Sequence, residues 1–336
     1  MNLRWLMLLL LLALAWPAGA ADFDLQAHRG GRGLRPENTL AAFENAIRMG
    51  VSTLELDIAI TAEGVPVVSH DPFLNPNITR EGNGAWLTAK GPRINALSLA
   101  QVQMHDVGRI NPAIPYAKAF AEQRPIDGQV IPTLDSLFML IKRLGADKIE
   151  FDIETEVFPN EPDATPAPAE FVERLLSVIR AHGMVDRVMV QSFDWRTLAI
   201  LGRVEPQMRR VYLTAQYPEY DMLRDGRWTA GMLLKDHGDS VPRMVLAAAG
   251  LASGTVWSPA FAQLSADQIK EAQALGLRVI PWTVNAVPQM AQLIDWGVDG
   301  LITDYPDRLR TLMAERGMAL PVPLPLPLPL PPALAK

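Results

Sequence analysis

The chain has 336 residues, 49% of them hydrophobic and 20% charged, enough apolar surface to bury a sizeable core as one large domain or two ordinary ones. Its formal charge of −6 argues against a broad basic face for nucleic acid, which is bound mainly through clustered Lys and Arg. The absence of cysteine rules out disulfides and a lipid-modified leader, so stability has to come from packing and bound ligands.

Residues 1–20 read as a secretory signal cleaved after Ala20: Arg4 supplies the positive start, Leu6 to Ala15 the apolar stretch, and Ala18-Gly19-Ala20 the small-residue cleavage site. The stretch falls short of the roughly 20 residues that span a bilayer. The expectation is a periplasmic or secreted protein with no stable membrane insertion after cleavage. From Phe23 onward β-type runs alternate with amphipathic ones. Strands are predicted over 24–28, 53–60, 148–154, 187–192, 210–214, 254–258, 278–284 and 300–304. Helices are predicted over 38–49, 133–144, 168–182, 194–204, 265–275, 288–296 and 306–318. Eight strands with helices between them fit a (β/α)8 barrel better than a doubly wound sheet, although periodicity alone leaves both open. The Gly-, Pro- and Asn-rich stretch 72–131 reads as an insertion after the second strand, and 216–250 as a second irregular region with a poorly defined helix. The barrel is expected over 21–319, and the Pro/Leu alternation at 320–336 as a disordered tail.

In a parallel barrel the chemistry lies at the C-terminal ends of the strands. His28 closes the first strand and Arg29 follows, where a guanidinium can fork onto phosphate oxygens. Glu55 and Asp57, two apart on the second strand, share one face, which is the barrel interior if Leu54, Leu56 and Ile58 turn to the helices. Two buried carboxylates side by side are tolerable around a cation, and hard oxygen donors suit Mg²⁺ or Ca²⁺. His70 follows an apolar run ended by Asp71-Pro72 and is a second candidate acid or base. On the third strand Glu150, Asp152 and Glu154 alternate onto one face; Glu154, nearest the C-terminal end, is the best third ligand and Asp152 the runner-up. His105, His182 and His237 read as structural from their positions.

The stretches His28-Arg29-Gly30, Pro36-Glu37-Asn38-Thr39, Glu55-Leu56-Asp57, His70-Asp71, Ile131-Pro132-Thr133-Leu134, Gln191-Ser192-Phe193, Trp282-Thr283-Val284-Asn285 and 299–306 resemble, in this order, the glycerophosphodiester phosphodiesterase family. That resemblance implies a TIM barrel with a small insertion between strand 2 and helix 2. It further implies a divalent metal, Ca²⁺ or Mg²⁺, on Glu55, Asp57 and Glu154, and a catalytic histidine pair, His28 and His70. Arg29 would be the phosphate-binding arginine, and Trp282 would wall the glycerol or alcohol pocket. The implied substrate is a small-molecule glycerophosphodiester, hydrolysed to sn-glycerol 3-phosphate and an alcohol. One position departs from the pattern: where the family commonly has Lys two residues after the strand-three glutamate, this chain has Glu156, with Lys235 or Arg196 as candidate compensating charges. Two alternatives to the diesterase remain: a phospholipase D-like enzyme on lysophospholipid or sphingomyelin, and a catalytically weak barrel that binds. A glycosidase built on paired acids would need no metal.

Overall fold

Pairing follows the chain around a nearly closed barrel of eight parallel strands. The computed structural model describes residues 23–250 and 254–325; the predicted signal at 1–20 and the tail from 326 lie outside the described residues. The strands are β1 (Asp24–Ala27), β2 (Thr53–Ile60), a short β3 (Pro66–Val68), β4 (Glu150–Thr155), β5 (Val188–Ser192), β6 (Arg209–Thr214), β7 (Val256–Pro259), β8 (Arg278–Val279) and β9 (Gly300–Thr303). β1 lies between β2 and β9, and β4 to β8 follow in chain order, with β3 antiparallel to β2 off the barrel path. The predicted strand 278–284 is regular over two residues only, because Pro281 has no N–H to offer the ladder. Backbone bonds still join the seam: Asp299 N–H donates to Val279 O, Ile302 N–H to Pro281 O, and Val284 N–H to Ile302 O.

The alternation of β2 is resolved as expected. Leu54, Leu56 and Ile58 pack in the main core under the helices, each side chain stabilising by about 1.5–3 kcal/mol through its burial. Glu55 and Asp57 point inward, where Met189, Val211, Val256, Ile280 and Ile302 fill one half of the barrel and carboxylates occupy the other. The parallel register sets Asp57 opposite Glu154 and Glu55 opposite Asp152.

The outer layer comprises α1 (Leu40–Met49), α2 (Leu99–Val102), α3 (Pro115–Ala119), α4 (Leu134–Leu144), α5 (Pro168–Ala181), α6 (Trp195–Val204), α7 (Val241–Ala249), α8 (Ala266–Ala274), α9 (Val287–Asp295) and α10 (Pro306–Glu315). Caps set the starts. The Thr39 side chain accepts from Ala42 N–H at 3.2 Å and the Thr133 side chain from Ser136 N–H at 3.0 Å. α1 and α4 stop at Gly50 and Gly145, whose φ of 90° and 64° suit glycine. The region 216–250, read as irregular, contains α7, started by the Ser240 side chain accepting from Arg243 N–H and by Pro242 in its first turn.

The insertion carries α2 and α3 and a small core of its own, in which Leu74, Ile94, Val102, Val107 and Ile131 meet Ala59 and Val67. Residues 320–325 of the Pro/Leu segment run across the N-terminal end of the barrel. There Leu324 N–H donates to Ile47 O at 3.2 Å, and Arg310 Nη1 donates to Gly50 O and Pro321 O, each at 2.7 Å. A cavity of ≈ 670 Å³ beneath this segment, lined by Phe23, Val51 and Lys148 among others, is at the end opposite the carboxylates. Among the described residues no helix is long and apolar enough to cross a membrane.

Candidate active site

The first strand ends in a backbone reversal that decides the geometry of the mouth. Arg29 has φ 51° and ψ 35°, a left-handed conformation disfavoured for a residue with a Cβ. It is retained because it aims the Arg29 N–H at Glu55 Oε2, 2.8 Å away. Gly30 follows at φ 79°, where a Cβ would meet Ala42 Cβ at 2.9 Å, so the approach of α1 requires glycine. The guanidinium turns inward, with Nη1 donating to Glu37 Oε1 at 2.8 Å and Nε 3.2 Å from Asp57 Oδ2. Glu37 also accepts from Tyr116 Oη at 2.8 Å, a contact contributed by α3 of the insertion. Asn38, also left-handed at φ 57°, donates to Asp57 Oδ2 at 2.7 Å.

Glu55, Asp57 and Glu154 come together as the sequence predicts: one oxygen from each lies within 4.8 Å of the others, and all three are buried. Burial and the repulsion of Asp57 push the Glu55 and Glu154 carboxyls well above the usual carboxylate range. At Asp57 the effect of burial is outweighed by Arg29 and, beyond it, by His70 and His28, which hold this carboxyl below its ordinary value. Asp57 Oδ1 is buried with no hydrogen-bond partner. Gln191 Nε2 donates to Glu55 Oε1 at 2.6 Å and fixes its orientation. Three oxygen donors, one of them unpartnered and all in a buried site, fit a hard divalent cation. Asp152, the runner-up ligand, lies deeper in the barrel with both oxygens lacking a partner and is not part of the triad.

His28 stands at the edge of the triad, Nε2 3.9 Å from Glu55 Oε2 and Nδ1 2.6 Å from Asp304 Oδ1. Asp304 is held in turn by Arg32 Nε at 2.8 Å and Asn285 Nδ2 at 2.7 Å. Burial lowers His28 to about 4, helped by Arg32 and opposed by Asp304. His70 is on the other side, 37% exposed, with Nδ1 3.6 Å from Asp71 and Nε2 3.6 Å from Glu156 Oε1. Neither proposed compensator faces Glu156: Arg196 forks onto Asp194 in the first turn of α6, and Lys235 lies in the turn Leu234–His237. Among the described residues, the basic side chain within 4 Å of the Glu156 carboxylate is His70. Trp282 is at the rim, its Nε1 donating to Ser258 O at 3.0 Å and its ring edge-to-face with Phe193 at 5.4 Å. His182 pairs with Asp135 on the surface and His105 with Gln101 O in the insertion, both away from the mouth.

Sequence reasoning assigned no role to Asp304, Asn285, Arg32, Glu37, Tyr116 or Gln191. Most of these sit inside the recognised stretches, but their partners are as far as 276 positions away along the chain.

The profile of the glycerophosphoryl diester phosphodiesterase family matches residues 28–308. A glycerophosphodiester phosphodiesterase of Caldanaerobacter subterraneus subsp. tengcongensis is 26% identical over 291 residues, covering 87% of this chain and 98% of the relative. A crystallised Silicibacter pomeroyi protein, described as a candidate glycerophosphoryl diester phosphodiesterase, superposes with a TM-score of 0.79 at 32% identity over 89% of this chain and 95% of that one. A phosphodiesterase of Oleispira antarctica, solved in complex with the product sn-glycerol-3-phosphate, shares the fold with a TM-score of 0.62 at 21% identity, covering 87% and 96%.

Proposed function

The chain belongs to the glycerophosphoryl diester phosphodiesterase family, and from that premise we propose that it hydrolyses glycerophosphodiesters to sn-glycerol 3-phosphate and an alcohol, using a divalent metal and histidine acid/base catalysis. The observation that carries this reading is the convergence of Glu55, Asp57 and Glu154 within 4.8 Å, beside the Arg29 guanidinium and the His28 ring, at the C-terminal mouth of the barrel. The product bound to the Oleispira neighbour is the phosphate ester expected here.

Glu55, Asp57 and Glu154 would hold the cation, Ca²⁺ or Mg²⁺ by the hardness of its donors, and it would supply Lewis-acid neutralisation of charge on the phosphate. Arg29, clamped by Glu37 and Asp57, binds the phosphate from the adjacent side. Asp304 accepts the Nδ1 proton of His28, which leaves the lone pair on Nε2, the nitrogen turned toward the triad. His28 therefore acts as the base that takes the proton from the attacking oxygen. His70, between Asp71 and Glu156, gives a proton to the departing alcohol. Such proton transfers contribute typically about 10² to 10⁴ in rate. The leader-like residues 1–20 support export, so the reaction would take place in the periplasm or outside the cell.

The test is metal analysis of the purified protein together with a glycerophosphodiester assay before and after chelation. Release of glycerol phosphate that is lost with the metal and restored by Ca²⁺, Mg²⁺ or Mn²⁺ is the expected result. Full activity in the chelated, metal-free protein would sink the metal-dependent reading.

A further inference from the structure

Arg209 and Arg278 open β6 and β8, two residues ahead of Val211 and Ile280, which fill the barrel interior. Alternation therefore turns both guanidiniums onto the barrel floor, at the end away from the carboxylate triad. Each keeps a buried N–H without an acceptor, Nη2 of Arg209 and Nε of Arg278. Arg209 has a counter-charge, because its Nη1 donates to Glu150 Oε2 at 2.8 Å. Arg278 forms no ion pair among the described residues, and its Nη2 reaches only the Asp299 carbonyl, at 3.4 Å. The other floor acid, Asp24, is engaged elsewhere, accepting from Gln26 Nε2 at 3.0 Å and from Thr53 Oγ1 at 2.7 Å. Both arginines line the cavity of ≈ 670 Å³ beneath residues 319–325. Much of its wall is carbon: Ile47, Val51 and Ile149 belong to the main core, and Leu320 and Leu324 of the covering segment pack against it. Asp147 and Lys148 stand exposed at the rim and offset each other in charge.

We propose that this cavity binds a long-chain carboxylate, its charged end on Arg278 and its chain along the apolar wall under residues 320–325. A guanidinium forks onto a carboxylate through two N–H groups, and the unpartnered Nε of Arg278 is one donor such a fork uses. A buried donor without an acceptor is costly, so the ligand completes a group that the fold leaves unpaired. The volume lies within the roughly 300–1,000 Å³ of small-molecule sites, which are likewise walled mainly by apolar groups with a few polar ones. A short anion would leave the apolar wall wet, and a neutral chain would leave Arg278 unpaired. A ligand with both ends matches both halves. Such carboxylates arise in the same class of reaction that must supply a glycerophosphodiester. Hydrolysis of the acyl esters of a glycerophospholipid adds one water per ester, the acyl carbon taking the hydroxyl and the glycerol oxygen the proton, so fatty acid and diester appear together.

The experiment titrates decanoate, acetate and the neutral decanol, each below the concentration at which it aggregates, into the purified protein by calorimetry. The proteins are wild type, Arg278→Gln and Leu324→Gln, with circular dichroism melts to confirm folding. The covering segment is fastened through its peptide groups, so Leu324→Gln leaves those hydrogen bonds in place. The wild type should bind one decanoate per chain, decanol at least about tenfold more weakly, and acetate not measurably. Decanoate should also raise its melting temperature. Arg278→Gln should weaken decanoate about tenfold, bringing it level with decanol, and Leu324→Gln should weaken both ligands. Absence of saturable decanoate binding by the wild type, equal affinity for decanoate and decanol, or decanoate affinity that survives both variants overturns the site. If Arg278→Gln does not fold, Leu324→Gln decides: weakened decanoate binding supports the site and undiminished binding rejects it. Turnover is not part of the readout, so failure of the diesterase reading would leave this result standing.

Discussion

His28 Nδ1 lies 2.6 Å from Asp304 Oδ1, so the residue that follows the first barrel strand is oriented by the residue that follows the last. Arg32 and Asn285 hold the same carboxylate, which leaves it little freedom to turn away. Asp304→Asn keeps the shape but no longer guarantees a proton on Nδ1. It should lower kcat on a glycerophosphodiester by about 10² to 10⁴ with melting temperature almost unchanged. Wild-type turnover in this variant would show that the pair is structural.

The low value at His28 carries a stability cost in acid. Between the ordinary imidazole value of 6.5 and about 4, the unfolded chain holds a proton on His28 that the folded chain does not. Stability from this group is therefore lost as pH falls through that window, by up to about 3 kcal/mol. Urea unfolding of chelated wild type and His28→Asn at pH 7.5 and 4.5 isolates the contribution, because the carboxylates titrate in both proteins. The wild type should lose more stability on acidification than the variant.

The triad has the opposite pH dependence. Its raised carboxyls, Glu55 and Glu154, keep protons in the folded chain that the unfolded chain releases as pH rises above the ordinary carboxylate value of 4.5, so the chelated protein loses stability toward alkaline pH. A divalent cation removes that penalty. Adding Ca²⁺, Mg²⁺ or Mn²⁺ should raise the melting temperature more at pH 8 than at pH 5.5, and Glu154→Gln should shrink the difference. A metal effect that is equal at both values would argue against ligation by these groups.

Tyr116 reaches the mouth from the insertion, donating to the Glu37 carboxylate that holds Arg29. Tyr116→Phe removes one hydrogen bond to a charged group without opening a cavity. We expect kcat/KM to fall about tenfold, equivalent to ~1.4 kcal/mol, while denaturant stability stays near wild type. Unchanged kinetics would confine the insertion to a packing role.

The strands carrying the chemistry were legible because period-two alternation is strong where one face is buried: Glu55, Asp57 and Glu154 stand out against Leu54, Leu56 and Ile153. β3 could be read as an apolar run, but its antiparallel pairing to β2 depends on tertiary contact. α7 was obscured because Ser240-Val241-Pro242 looks like a turn until its capping bond is seen. The orienting residues were hidden for a different reason. Asp304 acts on His28 across the seam between the ends of the chain's barrel, and Tyr116 acts through Glu37, so neither role has a local periodicity or spacing to betray it.

The segment 320–325 gives the barrel a front and a back. Arg310 pins it to Gly50, and Arg48 Nη1 donates to Pro325 O at 2.9 Å, so the polypeptide reaches Pro325 on the face away from His28 and the triad. Anything that grips residues 320–325 would therefore hold the molecule from behind, with the carboxylate mouth turned to the solution.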